Sequence, residues 1–215
     1  TAIPRRAIEI CKLMVREKIN LPWGLPSGIR VDTVSGKLFE ALKEAGCYRL
    51  GFGVESGNDY ILKTIKKNIT KDQVRKAVKM AKAYGFRVEC FFIIGNLEET
   101  EDTINETIDF AQELDPDIAQ FGIATPYPGT EMYHILIKEN RLISTKWEEY
   151  DSFSGKQIFV HKNLSADLLR KKFREAYRRF YFRPSYIMKK LKLLQDKKER
   201  EKLIHSFFNL LSLAK

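Results

Sequence analysis

Apolar residues recur at helical spacing from the start of the chain, with Ile8, Cys11 and Val15 on one line and Ile10 and Met14 beside it. This predicts a helix from Pro4 to about Lys18, and Pro4 suits its first turn. The stretch "LPWGLPSGIRV" is punctuated by proline and glycine and reads as an extended segment ending in a short strand near Ile29–Val31. Ser35 is a candidate N-cap for a helix with Leu38, Phe39, Leu42 and Ala45 on one face, and Gly46 stands where a C-terminal cap belongs. The pattern then repeats. "YRLGFGV" is a strand and "DYILKTI" a short helix. Thr70 and Gln73 make a capping-box pattern ahead of a helix with Val74, Ala77, Val78 and Ala81, closed by Gly85. "FRVECFFII" is a nearly continuous apolar strand, and "ETEDTINETIDFAQEL" a helix with acids in its first turn, as the helix dipole favours. "DIAQFGIA" is a further strand, "TPYPGT" a loop and "EMYHILIKEN" a short helix.

Helices and apolar strands therefore alternate over residues 4–140, which implies a parallel sheet. Strands starting at about 22, 48, 87 and 118 fit a (β/α) barrel or half-barrel. A doubly wound sheet is the competing arrangement, but no GxGxxG follows a strand. Two regions are expected: residues 1–140 as the α/β core, and 141–215 as an irregular linker followed by a basic helical extension. In the linker, Trp147, Tyr150, Phe153 and Phe159 are expected to cover an edge of the sheet. Beyond it, "SADLLRKKFREAYRRFYF" is amphipathic, Pro184 breaks it, and "SYIMKKLKLL" and "EKLIHSFFNLLSLA" follow.

Charge sharpens this division. The net charge is +10, yet residues 161–215 hold 16 Lys/Arg against 5 Asp/Glu, leaving 22 against 23 for the rest. A near-neutral body argues against nucleic acid as its partner, while the tail is open to anionic surfaces. No apolar run reaches the ~18 residues of a membrane span. The expected location is the cytoplasm, with peripheral contact at the inner face of a membrane open to the tail. Cys11, Cys47 and Cys90 show no CxxC or CxxxCxxC spacing and read as buried, reduced thiols. His134, His161 and His205 have neither ligand nor triad spacing.

In parallel α/β folds ligands bind at the carboxyl ends of the strands. Those ends offer Arg30 and Asp32, then Glu55, Ser56 and Gly57, then Gly95, Asn96, Glu98 and Glu99, then Thr125, Pro126 and Tyr127. A carboxylate such as Glu55 can accept two hydroxyl hydrogen bonds and so suits a diol. Lys66 and Lys67 lie where a cation could meet a carboxylate.

These strand ends, in this order, resemble the radical S-adenosylmethionine (SAM) superfamily, in particular members with an upstream cobalamin-binding domain. The likeness runs through "LPSGIRVDTV", "GFGVESGN", "KKNIT", "FFIIGNLEET", "ATPYPGTEMY" and "FYFRPSY". It implies part of a (β/α)6 barrel with SAM lying across the strand ends. It also implies a cofactor-binding set. Glu55, followed by Ser56, would meet the ribose hydroxyls, with Arg30 beside the nucleoside. Lys67 would lie near the methionyl carboxylate, Phe91 to Gly95 along the adenine, and the backbone of Ala124 and Thr125 at its edge. The family's adenine motif usually begins with glycine where this chain has Phe91, and "GNLEET" stands where relatives often read Gly-Leu-Pro-Gly-Glu-Thr. The family's 4Fe–4S motif, CxxxCxxC, is absent, so its ligands are expected upstream, in a longer parent enzyme. The resemblance implies that the parent cleaves SAM reductively to a 5′-deoxyadenosyl radical, with cobalamin-dependent methyl transfer as a common outcome. It further implies an electron donor and a small-molecule or lipid-like substrate. The isolated chain is expected to be inactive. The alternative is a non-catalytic, degenerate barrel that binds a membrane or RNA through its basic tail.

Overall fold

The computed structural model describes residues 3–154 and 156–191. Two compact units divide the chain: residues 1–92 with 109–120, and residues 93–108 with 121–215. Four strands, β1 (Trp23–Ile29), β2 (Cys47–Glu55), β3 (Arg87–Ile94) and β4 (Ile118–Ile123), form one sheet in the order β1-β2-β3-β4. β1 pairs with β2, and β2 with β3, in parallel. The alternation expected over residues 4–140 is present. The extended segment is itself the first strand, with Pro26 inside it. A register irregularity between Leu25 and Ile29 accommodates the proline.

In the first unit the helices are α1 (Pro4–Arg16), α2 (Gly36–Glu44), α3 (Asp59–Thr64) and α4 (Lys71–Ala83). Ser35 Oγ caps α2 by accepting from Leu38 N, and Thr70 with Gln73 closes a full capping box on α4. Gly46 and Gly85 have φ of 85° and 72°, as a left-handed helix stop requires. The two faces of β2 and β3 differ. Leu50, Phe52 and Val54, with Val88, Cys90 and Phe92, are buried on one face, and Leu38, Phe39, Leu42, Val74, Ala77 and Val78 of α2 and α4 join them in the core. Burying each large side chain is worth about 1.5–3 kcal/mol before the entropy of ordering it. The other face carries Arg49, Gly51 and Gly53 on β2, in register with Arg87, Glu89 and Phe91 on β3. α1 buries only Cys11, and leaves Ile10, Leu13 and Val15 exposed.

The second unit holds α6 (Glu131–Lys138), α7 (Ala166–Tyr181) and α8 (Pro184–Leu191), and α5 (Glu101–Leu114) begins in it. β4 is at the end of the strand order, and its backbone is satisfied by neighbours of that unit. The Tyr177 hydroxyl accepts from Phe121 N at 3.2 Å and donates to Phe121 O at 3.0 Å, while Ile123 N donates to Ser152 O at 2.7 Å. This protects a strand edge. The Ser152 backbone and Tyr177 cover this edge, and of the linker aromatics Phe153 lies beside it, its ring 3.5 Å from where a Gly122 Cβ would stand. Tyr150 and Phe159 are buried, but Trp147 and Phe153 are exposed. The expected helix over "EKLIHSFFNLLSLA" and residue Leu194 lie outside the described residues. Among the described residues no helix is long and apolar enough to cross a membrane.

Candidate functional site

Glu55 closes β2 with φ of 70°, a left-handed conformation that costs a non-glycine residue energy. The cause is a bulge: between Gly53 and Glu55 the β2–β3 register slips, so that Gly53 pairs with Phe91 and Glu55 with Phe92. Bulges redirect side chains at sheet ends. Here the carboxylate meets an ammonium, Lys67 Nζ donating to Glu55 Oε1 at 2.6 Å, with both side chains largely shielded. Lys67 is itself fixed by the end of α3. Lys66 N donates to Lys63 O and Lys67 N to Leu62 O, both at 3.0 Å, with Lys66 at φ 58°. This is a Schellman stop with lysine in place of glycine.

Gly53 lies beneath the pair. A Cβ there would stand 2.8 Å from Glu55 Oε1 and 3.0 Å from Lys67 Nζ. Arg30 forms a fork with Asp32, its Nε and Nη2 donating to the two carboxylate oxygens at 3.0 and 2.7 Å. Arg30 holds the Asp32 carboxyl below its usual range, and Lys67 adds a smaller attraction of the same sign. The structure thus brings Arg30, Glu55 and Lys67 into one run of alternating charge with Asp32. Ser56 is fully buried and shapes the turn. Its N–H donates to Val54 O, and its Oγ accepts from Asn58 N, whose own side chain caps α3. Phe91 is half-buried on β3, with its ring edge 2.9 Å from where a Gly51 Cβ would be.

Gly95, Ala124 and Thr125 belong to the second unit. Gly95 has φ of 81°, and a Cβ on it would strike Leu169. Ala124 N donates to Ile94 O at 2.8 Å, which ties the end of β4 to the end of β3. The Thr125 hydroxyl donates to Ile123 O and accepts from Ser152 Oγ. After Gly95 comes a network that pattern reading missed. Glu99 is fully buried, and its Oε2 accepts from Asn96 N at 2.8 Å, while Oε1 has no partner among the described residues. Burial pushes its carboxyl up to about 7. His161 Nδ1 accepts from Asn163 N, so Nε2 carries the proton and donates to Asn96 O at 2.7 Å. Burial lowers the His161 pKa. The Asn163 side chain donates to Glu99 O. The acid three residues after Asn96 was a visible signal. The histidine that bonds Asn96 O, 65 residues further on, was not.

The cysteines do not fit an iron–sulfur cluster, which takes thiolates. Cys11, Cys47 and Cys90 are free and buried, and burial raises the pKa of each thiol. Among the described residues no three His, Cys, Asp or Glu side chains could hold a metal ion together.

Comparison with known proteins agrees with this architecture. The family model described as "Radical SAM superfamily" matches residues 5–111. An uncharacterized methyltransferase of Pyrococcus horikoshii is 39% identical over 185 residues, covering 86% of this chain and 39% of the relative. Cytidylyl-2-hydroxyethylphosphonate methyltransferase of Streptomyces wedmorensis is 30% identical over 130 residues, covering 57% of this chain and 24% of the relative. The chain thus spans well under half of these relatives. Among solved structures, the apo form of the cobalamin-dependent SAM radical enzyme OxsB superposes with a TM-score of 0.59 at 18% identity, covering 96% of this chain and 35% of that one. The radical SAM methyltransferase TsrM from Kitasatospora setae, with cobalamin and a 4Fe–4S cluster bound, gives a TM-score of 0.55 at 15% identity, covering 77% and 34%. The parallel sheet and its helices are part of a radical SAM barrel, and the chain belongs to the radical SAM superfamily.

Proposed function

We propose that this chain supplies the nucleoside-binding side of a SAM site in a longer radical SAM methyltransferase. Arg30, Glu55 and Ser56 of the first unit would serve the ribose and its surroundings, with Lys67 near the methionyl carboxylate and Phe91 along the adenine. The observation that carries this reading is Glu55, a carboxylate held in a strained conformation at the end of a parallel strand, where ligands of such sheets bind. Methyl transfer is supported by the names of the relatives, and dependence on cobalamin by those of the structures of like fold. A 4Fe–4S cluster, which in this superfamily supplies the electron for SAM cleavage, would be held by residues outside this chain. What the present residues contribute is binding and orientation. In the full-length protein, Glu55→Ala should weaken SAM binding about tenfold by calorimetry; unchanged affinity would remove the assignment.

A second reading rests on α8, where Ile187, Met188 and Leu191 are exposed on a helix that also carries Lys189 and Lys190. Such a helix suits an anionic membrane surface. Co-sedimentation with vesicles containing phosphatidylserine, but not with neutral ones, would support it, and equal recovery with both would end it.

A further inference from the structure

We infer that Trp147, Tyr150 and Tyr127 form a stacking shelf for a flat conjugated ring of the substrate, uncharged or cationic. Assigning the ring to a substrate rests on the methyltransferase reading above, whereas the shelf rests on geometry within the second unit. Trp147 and Tyr150 lie nearly parallel, with ring centroids 5.7 Å apart and 19° between their planes. This is the offset stack that aromatic rings prefer. Tyr127 stands edge-on to Trp147 at 6.1 Å and 63°, and tilted to Tyr150 at 5.9 Å and 46°. Both tyrosine hydroxyls are spent on backbone carbonyls: Tyr127 donates to Tyr150 O and Tyr150 to Ser144 O, each at 3.3 Å. The rings are thereby fixed, and what they offer a ligand is π surface. Trp147 remains 67% exposed, and its indole N–H has no partner among the described residues. The indole of Trp23, by contrast, is tied to Ala45 O at 2.6 Å.

The shelf stands where a ligand of a parallel sheet arrives, at a strand's carboxyl end. Tyr127 is in the loop that leaves β4. The segment carrying Trp147 and Tyr150 is pinned to the same end, with Ser152 Oγ donating to Thr125 Oγ1 at 2.9 Å and Ile123 N to Ser152 O at 2.7 Å. An exposed indole stacked on one side can take a third ring on the other, and a flat π system gains more there than a saturated one. Charge narrows the class. Residues 146–156 hold three Asp/Glu against two Lys, and Lys156 is already paired with Glu149 at 2.9 Å. The segment has no surplus of cations to follow phosphates, which a platform for nucleic-acid bases requires.

The test uses the full-length protein and three probes: proflavine, a flat three-ring cation; anthracene-2-carboxylate, a flat three-ring anion; and SAM. Probe fluorescence follows the first two and calorimetry the third, for wild type, Trp147→Ala, Trp147→Phe and Glu55→Ala. Trp147→Ala should weaken proflavine about tenfold, and Trp147→Phe, which keeps a ring, should recover part of that. The binding that depends on Trp147 should be weaker for the anion than for proflavine. SAM affinity should be the same in Trp147→Ala as in wild type. If proflavine binds Trp147→Ala as tightly as wild type, the shelf takes no ring, and this inference falls while the SAM reading stands. If Trp147→Ala weakens SAM as much as proflavine, the shelf belongs to the adenine and the inference falls as well. Binding of poly(U) that is lost in Trp147→Ala would make the shelf a reader of nucleic-acid bases and overturn it too. If Glu55→Ala leaves SAM unchanged, the nucleoside reading falls, and loss of proflavine in Trp147→Ala would still support the shelf.

Discussion

Glu89 Oε2 accepts a hydrogen bond from Arg49 Nη2 at 2.6 Å, on the face of the sheet where β2 carries Gly51 and Gly53. Glu89 is 1% exposed, while the Arg49 side chain keeps about a third of its surface. Glu89 Oε1 and Arg49 Nε have no partner among the described residues. A buried pair of this kind adds little net stability, yet removing one member strands the other. Arg49→Ala should therefore cost about 2–3 kcal/mol, below the full penalty because Arg49 is partly solvated. The double variant Arg49→Met/Glu89→Leu should recover most of that. Urea denaturation of wild type, Arg49→Met, Glu89→Leu and the double variant measures the coupling, and additive losses would contradict it.

The two glycines of β2 should respond differently to alanine. At Gly53 the new Cβ meets only the movable ends of Glu55 and Lys67. Stability should change by less than about 1 kcal/mol while nucleoside affinity falls about tenfold. At Gly51 the Cβ would stand 2.6 Å from the Pro26 carbonyl and 2.9 Å from the Phe91 ring, atoms that cannot swing aside. That variant should lose about 1–3 kcal/mol. Thermal melts together with a binding titration distinguish the two effects.

Glu99 predicts an unusual response to pH. Its carboxyl is pushed up by burial to about 7, from an ordinary value of 4.5. Between these values the fold keeps a proton that the unfolded chain has released. Stability is then lost as pH rises from about 4.5 to about 7 and stays lower above, by about 3 kcal/mol in all. His161 acts in the opposite sense. Burial lowers its pKa, so its contribution is full above about 6.5 and is lost as pH falls through its lower folded value. Glu99→Gln should abolish the loss toward neutral pH and leave the acid-side loss intact. Melting temperatures recorded between about pH 4 and pH 8 would show this, and parallel profiles for wild type and variant would refute it.

Tyr177→Phe removes one hydroxyl that serves both backbone groups of Phe121, which is fully buried. Two backbone groups lose their bond to this hydroxyl for the deletion of one atom. The expected cost is about 2 kcal/mol, above that of an ordinary hydrogen bond. It should be accompanied by faster amide hydrogen exchange at Phe121; retained protection there would show that another group covers the strand edge.

Much of this protein could be read from its sequence because the signals are local. The helix starts at Ser35 and Thr70, the stops at Gly46 and Gly85 and the strand beginnings depend on neighbours within a few residues, and they stand where the pattern placed them. Glu55 was marked by the same logic, as an acid at the end of an apolar strand. The tertiary structure decided what these residues do to one another. The bulge that turns Glu55 depends on β2 being paired with β3, and the pairing of Glu55 with Lys67 depends on how α3 returns to the strand end. Pro26 falls inside β1, where a register irregularity against β2 accommodates it, a fact of strand pairing that composition does not carry. Arg49 with Glu89, and Asn96 with His161, lie 40 and 65 residues apart. Periodicity says which side of an element a residue occupies, whereas contacts between distant elements follow from register and packing, and these exist only once the chain has folded.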